Sequence, residues 1–165
     1  MLFGLKEPSL ANQLSDLQHL IRQLGPCIPE VAMIVEEESD RWQIIFEENF
    51  SLQISWQENP ARVLLCSAVG KPQENHREKL FARLLNMNLL LQGVANLKLA
   101  LSSPEDDVIL IGELESEMMS LDILKKEMTE YLRFAAYFSD LVNQPDIEND
   151  KAEISNAMAI ELLRA

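Results

Sequence analysis

Two histidines, two cysteines and two runs of carboxylates are the residues in this 165-residue chain whose types could do chemistry. His19 and His76 fall at polar helix positions, with neither a Cys-x-x-Cys nor a His-Glu-x-x-His set around them, so they are expected at the surface and no zinc site is drawn. Cys27 lies beside prolines and Cys66 inside the apolar run VLLCSAV, which favours buried thiols over a disulfide. Glu36-Glu37-Glu38 and Glu105-Asp106-Asp107 lack the alternating ligand spacing and turn glycine of a calcium loop, and are read as solvated loop charge. The five glycines, Gly4, Gly25, Gly70, Gly93 and Gly112, are isolated, so no phosphate-cradling loop can be drawn, and the serines form no G-x-S-x-G elbow. These residues propose no reaction. The expectation is a protein that is not an enzyme, with no catalytic residue, no metal and no cofactor.

Charge narrows the partners. The chain has 27 acidic against 14 basic residues, a net charge of -13, and its basic residues do not cluster. Nucleic acid and anionic membrane are therefore poor partners; the acidity either attracts basic partners or simply keeps the protein soluble. The start, MLFGLKEPSL, has no secretory pattern, so a cytoplasmic protein is expected. The most apolar stretch, LLNMNLLLQGVANLKLAL, is interrupted by Asn86, Asn88, Gln92, Asn96 and Lys98 and split at Gly93, and fails as a membrane span, which needs about 20 predominantly apolar residues.

The elements that position these residues follow from periodicity. Leu10, Leu14, Leu17, Leu20, Ile21 and Leu24 recur at three and four, an amphipathic helix that Gly25-Pro26 ends. From Val31 to Val69 the period is two: Val31, Met33 and Val35 weakly, then Trp42, Ile44 and Phe46, then Phe50, Leu52, Ile54 and Trp56. The interruptions EEESD, EEN and QENPA are of hairpin length and predict antiparallel pairing. Arg62 to Val69 is apolar on both faces and is expected to be a central strand covered on both sides. A second helix runs from Pro72 and QENHREK to about Leu91, with Gly93 as its cap. Two strands around SSPEDD follow, and then a long helix from about Ser120 to Asn143. Pro145 starts a break and a short terminal helix. The expected domains are residues 1–144, a single α+β domain, and residues 145–165, a helical extension. The fold class is α+β, a twisted antiparallel sheet of five to six strands with helices packed on it, in the order α-β-β-β(-β)-α-β-β-α plus a C-terminal helix.

The second helix is too apolar for one partner. At about 100° per residue, Leu80, Phe81, Leu84, Leu85, Met87 and Leu91 span roughly 160°, and Leu89 and Leu90 fall outside that arc. Either the first or third helix supplies the extra cover, or a second subunit does. Asn88 lies near the centre of the arc, where an amide must find a hydrogen bond. It bonds a neighbouring backbone, or bonds across an interface and fixes register, or sits in a frayed last turn.

The run REKLFARLLNMNLLLQG, followed by NLKLAL, a hairpin loop, VILIGEL and a long final helix, resembles the class I type III secretion chaperones, the Tir-chaperone family. The likeness spans roughly Leu10 to Val142. It is sharpest in an L-L-x-x-N-x-L-L-x-x-G pattern at Leu84, Leu85, Asn88, Leu90, Leu91 and Gly93, with a departure in spacing at Leu90 and Leu91. The resemblance implies a bacterial cytoplasmic homodimer, ATP-independent, that binds the N-terminal region of a secreted effector and keeps it export-competent. Export-apparatus components are further implied partners. It also implies a dimer interface at Leu84, Met87, Asn88, Leu91, Leu97 and Leu99. The implied effector-binding groove comprises Leu17, Leu20, Ile21, Ile44, Phe46, Leu52, Ile54 and Trp56, with the effector adding strands at sheet edges. A regulatory adaptor of the same fold, sequestering another regulator instead of delivering cargo, is the alternative. Two stretches depart from the family: Pro29 to Asp40, which is long, and the tail from Pro145 to Ala165.

Overall fold

Helix α1, Leu10–Leu24, forms where the leucine spacing placed it. Leu17, Ile21 and Leu24 are buried, and Leu14 and Leu20 are half-buried. Pro26 cannot continue an α-helix because it lacks the N–H and crowds the preceding turn, and the chain tightens into a 3-10 turn at Gly25–Cys27. The structure, a computed structural model, describes residues 10–143 apart from 48–49, 92–95, 104–105 and 117–118.

Four strands follow: β1 Val31–Glu38, β2 Arg41–Phe46, β3 Ser51–Glu58 and β4 Ala61–Gly70. Each pairs antiparallel with the next, and the register aligns the alternation. Trp42 faces Ile54 and Ile44 faces Leu52, while Ile54 faces Leu65 and Trp56 faces Val63. All seven of these side chains are buried. A one-residue slip would turn them all to the opposite face, so burial on one side fixes the register.

Helix α2, Arg77–Leu91, then strands β5, Leu97–Leu101, and β6, Val108–Glu115, and helix α3, Leu121–Asn143, complete the order. Ser120 caps α3: its hydroxyl accepts the Ile123 N–H at 3.3 Å. The strands form one six-stranded antiparallel sheet in the order β1-β2-β3-β4-β6-β5. The α+β class, the six strands and the helix order are as expected. The terminal helix of 145–165 and the Gly93 cap lie outside the described residues.

The chain divides into two compact units. Among the described residues, one holds the chain from Leu10 to Ser67 and Ile111–Phe134, so it includes α1 and β1 to β3; the other holds Ala68–Leu110 and the chain from Ala135 to Asn143, including α2 and β5. In the second unit Gly70 ends β4 at φ 142°, and a Cβ there would come within 3.0 Å of a Val142 methyl. The positive φ and this close approach both require glycine.

Three local expectations change. The glutamates of Glu36-Glu37-Glu38 are not loop residues but the exposed end of β1, because the turn needs only Ser39 and Asp40. The stretch from Pro29 to Asp40 is mostly strand β1. β4 does lie inside the sheet, but its second face is only partly covered: Leu64 and Cys66 are half-buried and Ala68 is exposed. Cys27 is exposed rather than buried, and both cysteines are free thiols.

Candidate interaction surface

Helix α2 carries two apolar stripes. Leu80, Leu84, Met87 and Leu91, spaced four, three and four, are buried, and α2 packs on β5. On the side left open, Leu85 is 70% exposed and Leu89 73%. At about 100° per residue these two neighbour Phe81, whereas Leu90 lies on a different flank. Leu101, at the end of β5, is also exposed. Between helix and strand runs an open groove lined by Phe81, Leu84, Leu85, Asn88, Leu99, Ala100 and Leu101. Six of its seven side chains are apolar.

The rim of the groove is held by polar contacts. Arg77, in the first turn of α2, forms an ion pair with Asp106 of the β5–β6 hairpin, and its guanidinium lies 5.3 Å from the centre of the Phe81 ring. Asp106 takes a φ of 58°, and the neighbouring Asp107 N–H donates to the Ser102 hydroxyl at 3.0 Å. Asn88 is satisfied within the protomer: its Nδ2 donates to the Leu99 carbonyl at 2.9 Å, and its Oδ1 accepts the Leu99 N–H at 2.7 Å. Of the roles open to Asn88 in the sequence, it takes the bond to a neighbouring backbone. It stands within the helix, half-buried between the two stripes.

The residues implied for a dimer interface are gathered by this arrangement around α2 and β5. Leu84, Met87, Leu91, Leu97 and Leu99 turn inward and are buried, and Asn88 is half-buried. The residues implied for an effector groove gather in the other unit. Leu17 and Ile21 come from α1, Ile44 and Phe46 from β2, and Leu52, Ile54 and Trp56 from β3; all are buried, and Leu20 is half-buried. Leu85, Leu89, Leu90 and Leu101 were not picked out as site residues. The available signal was the excess of apolar residues on α2 beyond what one covering face needs.

Two polar clusters lie in the first unit. Ser67, 4% exposed, and Tyr131, 3% exposed, share a hydroxyl–hydroxyl bond of 2.8 Å. Burial pushes the Tyr131 phenol well above its ordinary range, against the opposing effect of the Ser67 bond, and burial also raises the Cys66 thiol. On the half-exposed side of the sheet, Arg62 donates to Gln57 at 2.8 Å and pairs with Glu113 at 2.7 Å. The first contact ties β4 to α3, and the second links β4 to β3 and β6. Among the described residues no group of His, Cys, Asp or Glu could hold a metal ion, and no helix is long and apolar enough to cross a membrane.

An apolar stripe beside an apolar groove is the kind of surface that marks an interaction site. Residues 15–139 match the model of the Tir chaperone protein (CesT) family, and the chain belongs to that family. Its members are type III secretion chaperones and not enzymes. No curated protein matches the sequence. Among solved structures the fold is similar to one described as "Crystal Structure of the ExsC-ExsE Complex", with TM-score 0.66 and 16% identity, covering 81% of this chain and 98% of that one. A second is the "HopA1-SchA Chaperone-Effector Complex", with TM-score 0.59 and 20% identity, covering 81% and 98%. A third, the heterodimeric ExoU-SpcU complex from the type III secretion system of Pseudomonas aeruginosa, has TM-score 0.51 and 16% identity, covering 66% and 88%.

Proposed function

We propose that the protein is a cytoplasmic, ATP-independent chaperone that acts as a homodimer and binds the N-terminal region of a type III secretion effector. It keeps that region soluble and export-competent. The observation that carries this reading is the family match over residues 15–139, which takes in all of the sheet and most of α1 and α3. A neighbouring fold solved as a chaperone–effector complex supports an effector as partner.

The pairing of two copies is supported by α2. Exposed leucines on one helix, adjoining a groove, form a contiguous apolar surface of the kind that soluble proteins cover. A second copy presents the same stripe, so a two-fold arrangement buries both at once. Leu84, Met87, Leu91, Leu97 and Leu99 then act as the inner layer under the seam, and Leu85, Leu89 and Leu101 make the contact. The effector segment, extended, adds to a free strand edge and seats apolar side chains beside α1, where Leu20 retains part of its surface.

Co-expression with the protein of the adjacent open reading frame tests this. A stable complex is expected through roughly the first hundred residues of that protein, with two copies of the chaperone, and the bound protein should be exported. A captured partner that stays inside the cell would instead establish the regulatory adaptor.

A further inference from the structure

The two bonds between Asn88 and Leu99 use the same pair of backbone groups, the N–H and the C=O of one strand residue. β5 is an outer strand of the sheet. In a strand, successive residues direct their N–H and C=O alternately to either side, so one set faces the paired strand and the other faces outward. Ser102 N–H donates to the Asp107 carbonyl across the hairpin at 2.9 Å, which fixes the even-numbered residues as the set facing β6. Leu97, Leu99 and Leu101 therefore direct their backbone groups outward, toward α2, and Leu99 is the middle one of the three.

A carboxamide carries the donor and acceptor of a peptide group. Bonded to both groups of Leu99, the Asn88 side chain reproduces the two-bond ring that an antiparallel neighbour would make at that residue. A peptide laid along five-residue β5 would have to pair at Leu99, and that position is taken. At β1, the outer strand at the other end of the order, the nearby side-chain amides bond elsewhere: Gln18 donates to the Ser39 carbonyl in the turn and Gln53 to the Glu37 carboxylate. Natural sheets protect exposed edges by several devices, among them covering by a helix.

We propose that Asn88 seals the β5 edge against strand addition and so decides at which end of the sheet an extended partner segment can pair. With β5 closed, contact across α2 and the groove is made by side chains alone, and strand addition is left to β1. The direction of partner pairing rests on the effector-binding reading above; the sealing of β5 does not.

The test uses the full chain and Asn88→Ala, which removes both bonds. Residue-resolved amide exchange should show Leu99 protected in the parent and faster by roughly tenfold or more in the variant, while β6 amides keep their protection. A labelled synthetic peptide containing the β5 sequence LKLAL serves as the strand probe. It should bind the variant and not the parent at β5, as followed by shifts of Leu97, Leu99 and Leu101 amides. Asn88→Ser, too short to span both groups, gives the same readouts if the alanine variant does not fold. Equal Leu99 exchange in parent and variant would overturn the seal, as would a freed Leu99 amide with no gain in probe binding. Unfolding of both variants would make Asn88 a determinant of the fold instead. If Leu99 and the probe behave as expected but no effector is bound, the chaperone reading fails and the seal stands.

Discussion

Ser67 and Tyr131 show how a single buried bond shapes stability. Each hydroxyl is nearly inaccessible and each has the other as its partner at 2.8 Å. Tyr131→Phe removes one partner and leaves the serine oxygen buried alone, a loss of about 1–3 kcal/mol. Urea denaturation measures it, and a change below a few tenths would mean that water replaces the phenol. Tyr131 and the nearby Cys66 also make stability depend on alkaline pH. The phenol, ordinarily near 10.0, and the Cys66 thiol, ordinarily near 9.0, are both raised by folding. Above those ordinary values the unfolded chain has lost protons that the folded chain keeps, so the difference in bound protons is negative and stability falls with rising pH. Stability should be level from neutral pH to about 8.5 and decline beyond, as the ordinary values are passed. In Tyr131→Phe the part of that decline beginning near pH 10 should vanish and the thiol part remain.

Helix α2 separates what a mutation does to the fold from what it does to pairing. A charge at Leu84 or Met87, 5% and 4% exposed, enters the packed inner face and should unfold the unit rather than dissociate a dimer. A charge at Leu89, 73% exposed, meets only solvent in the single copy. Leu89→Glu should therefore change folding stability by no more than about 0.5 kcal/mol and still shift the sedimenting species from dimer to monomer at micromolar concentration. A dimer that survives Leu89→Glu and Leu85→Glu together would place the seam elsewhere. This division was only half legible in the sequence. The periods of two and 3.6 delimited the strands and helices because burial on one face imposes them, and Gly25-Pro26 marked the end of α1 by local chemistry. Periodicity could not show which of α2's apolar residues face inward, since the stripe is wider than one face. The glutamates of Glu36-Glu37-Glu38 looked like a loop because edge strands tolerate charge on both sides. Asn88 looked central to the apolar arc and lies between its two stripes; that its amide is met by Leu99 was not legible, because how β5 is laid beside the helix sets that partner.

At the scale of the whole molecule, charge and apolar surface act against each other. Each copy carries -13, so two copies brought together repel, while the proposed seam of Leu85, Leu89 and Leu101 draws them together without any ionic contact. Repulsion between exposed charges is screened over a Debye length of about 10 Å at 0.1 M salt, and burial of apolar surface is not weakened by moderate salt. Association of copies should therefore tighten as salt rises from about 0.02 to 0.5 M, by sedimentation equilibrium at fixed pH. Dissociation by added salt would show that ion pairs hold the seam, against the arrangement on α2. Capture of an effector segment has the opposite sign if its basic residues meet Glu36, Glu37 and Glu38, the exposed end of β1. Glu36 and Glu38 have partners in Arg22 and Arg41 at 3.5 and 3.8 Å, both pairs largely exposed and therefore weak enough to exchange for a ligand's cations. Salt should then weaken the effector complex over the same range in which it strengthens the dimer. Opposed slopes on one sample would separate the two surfaces: an apolar seam on α2 and an acidic, open strand edge at β1.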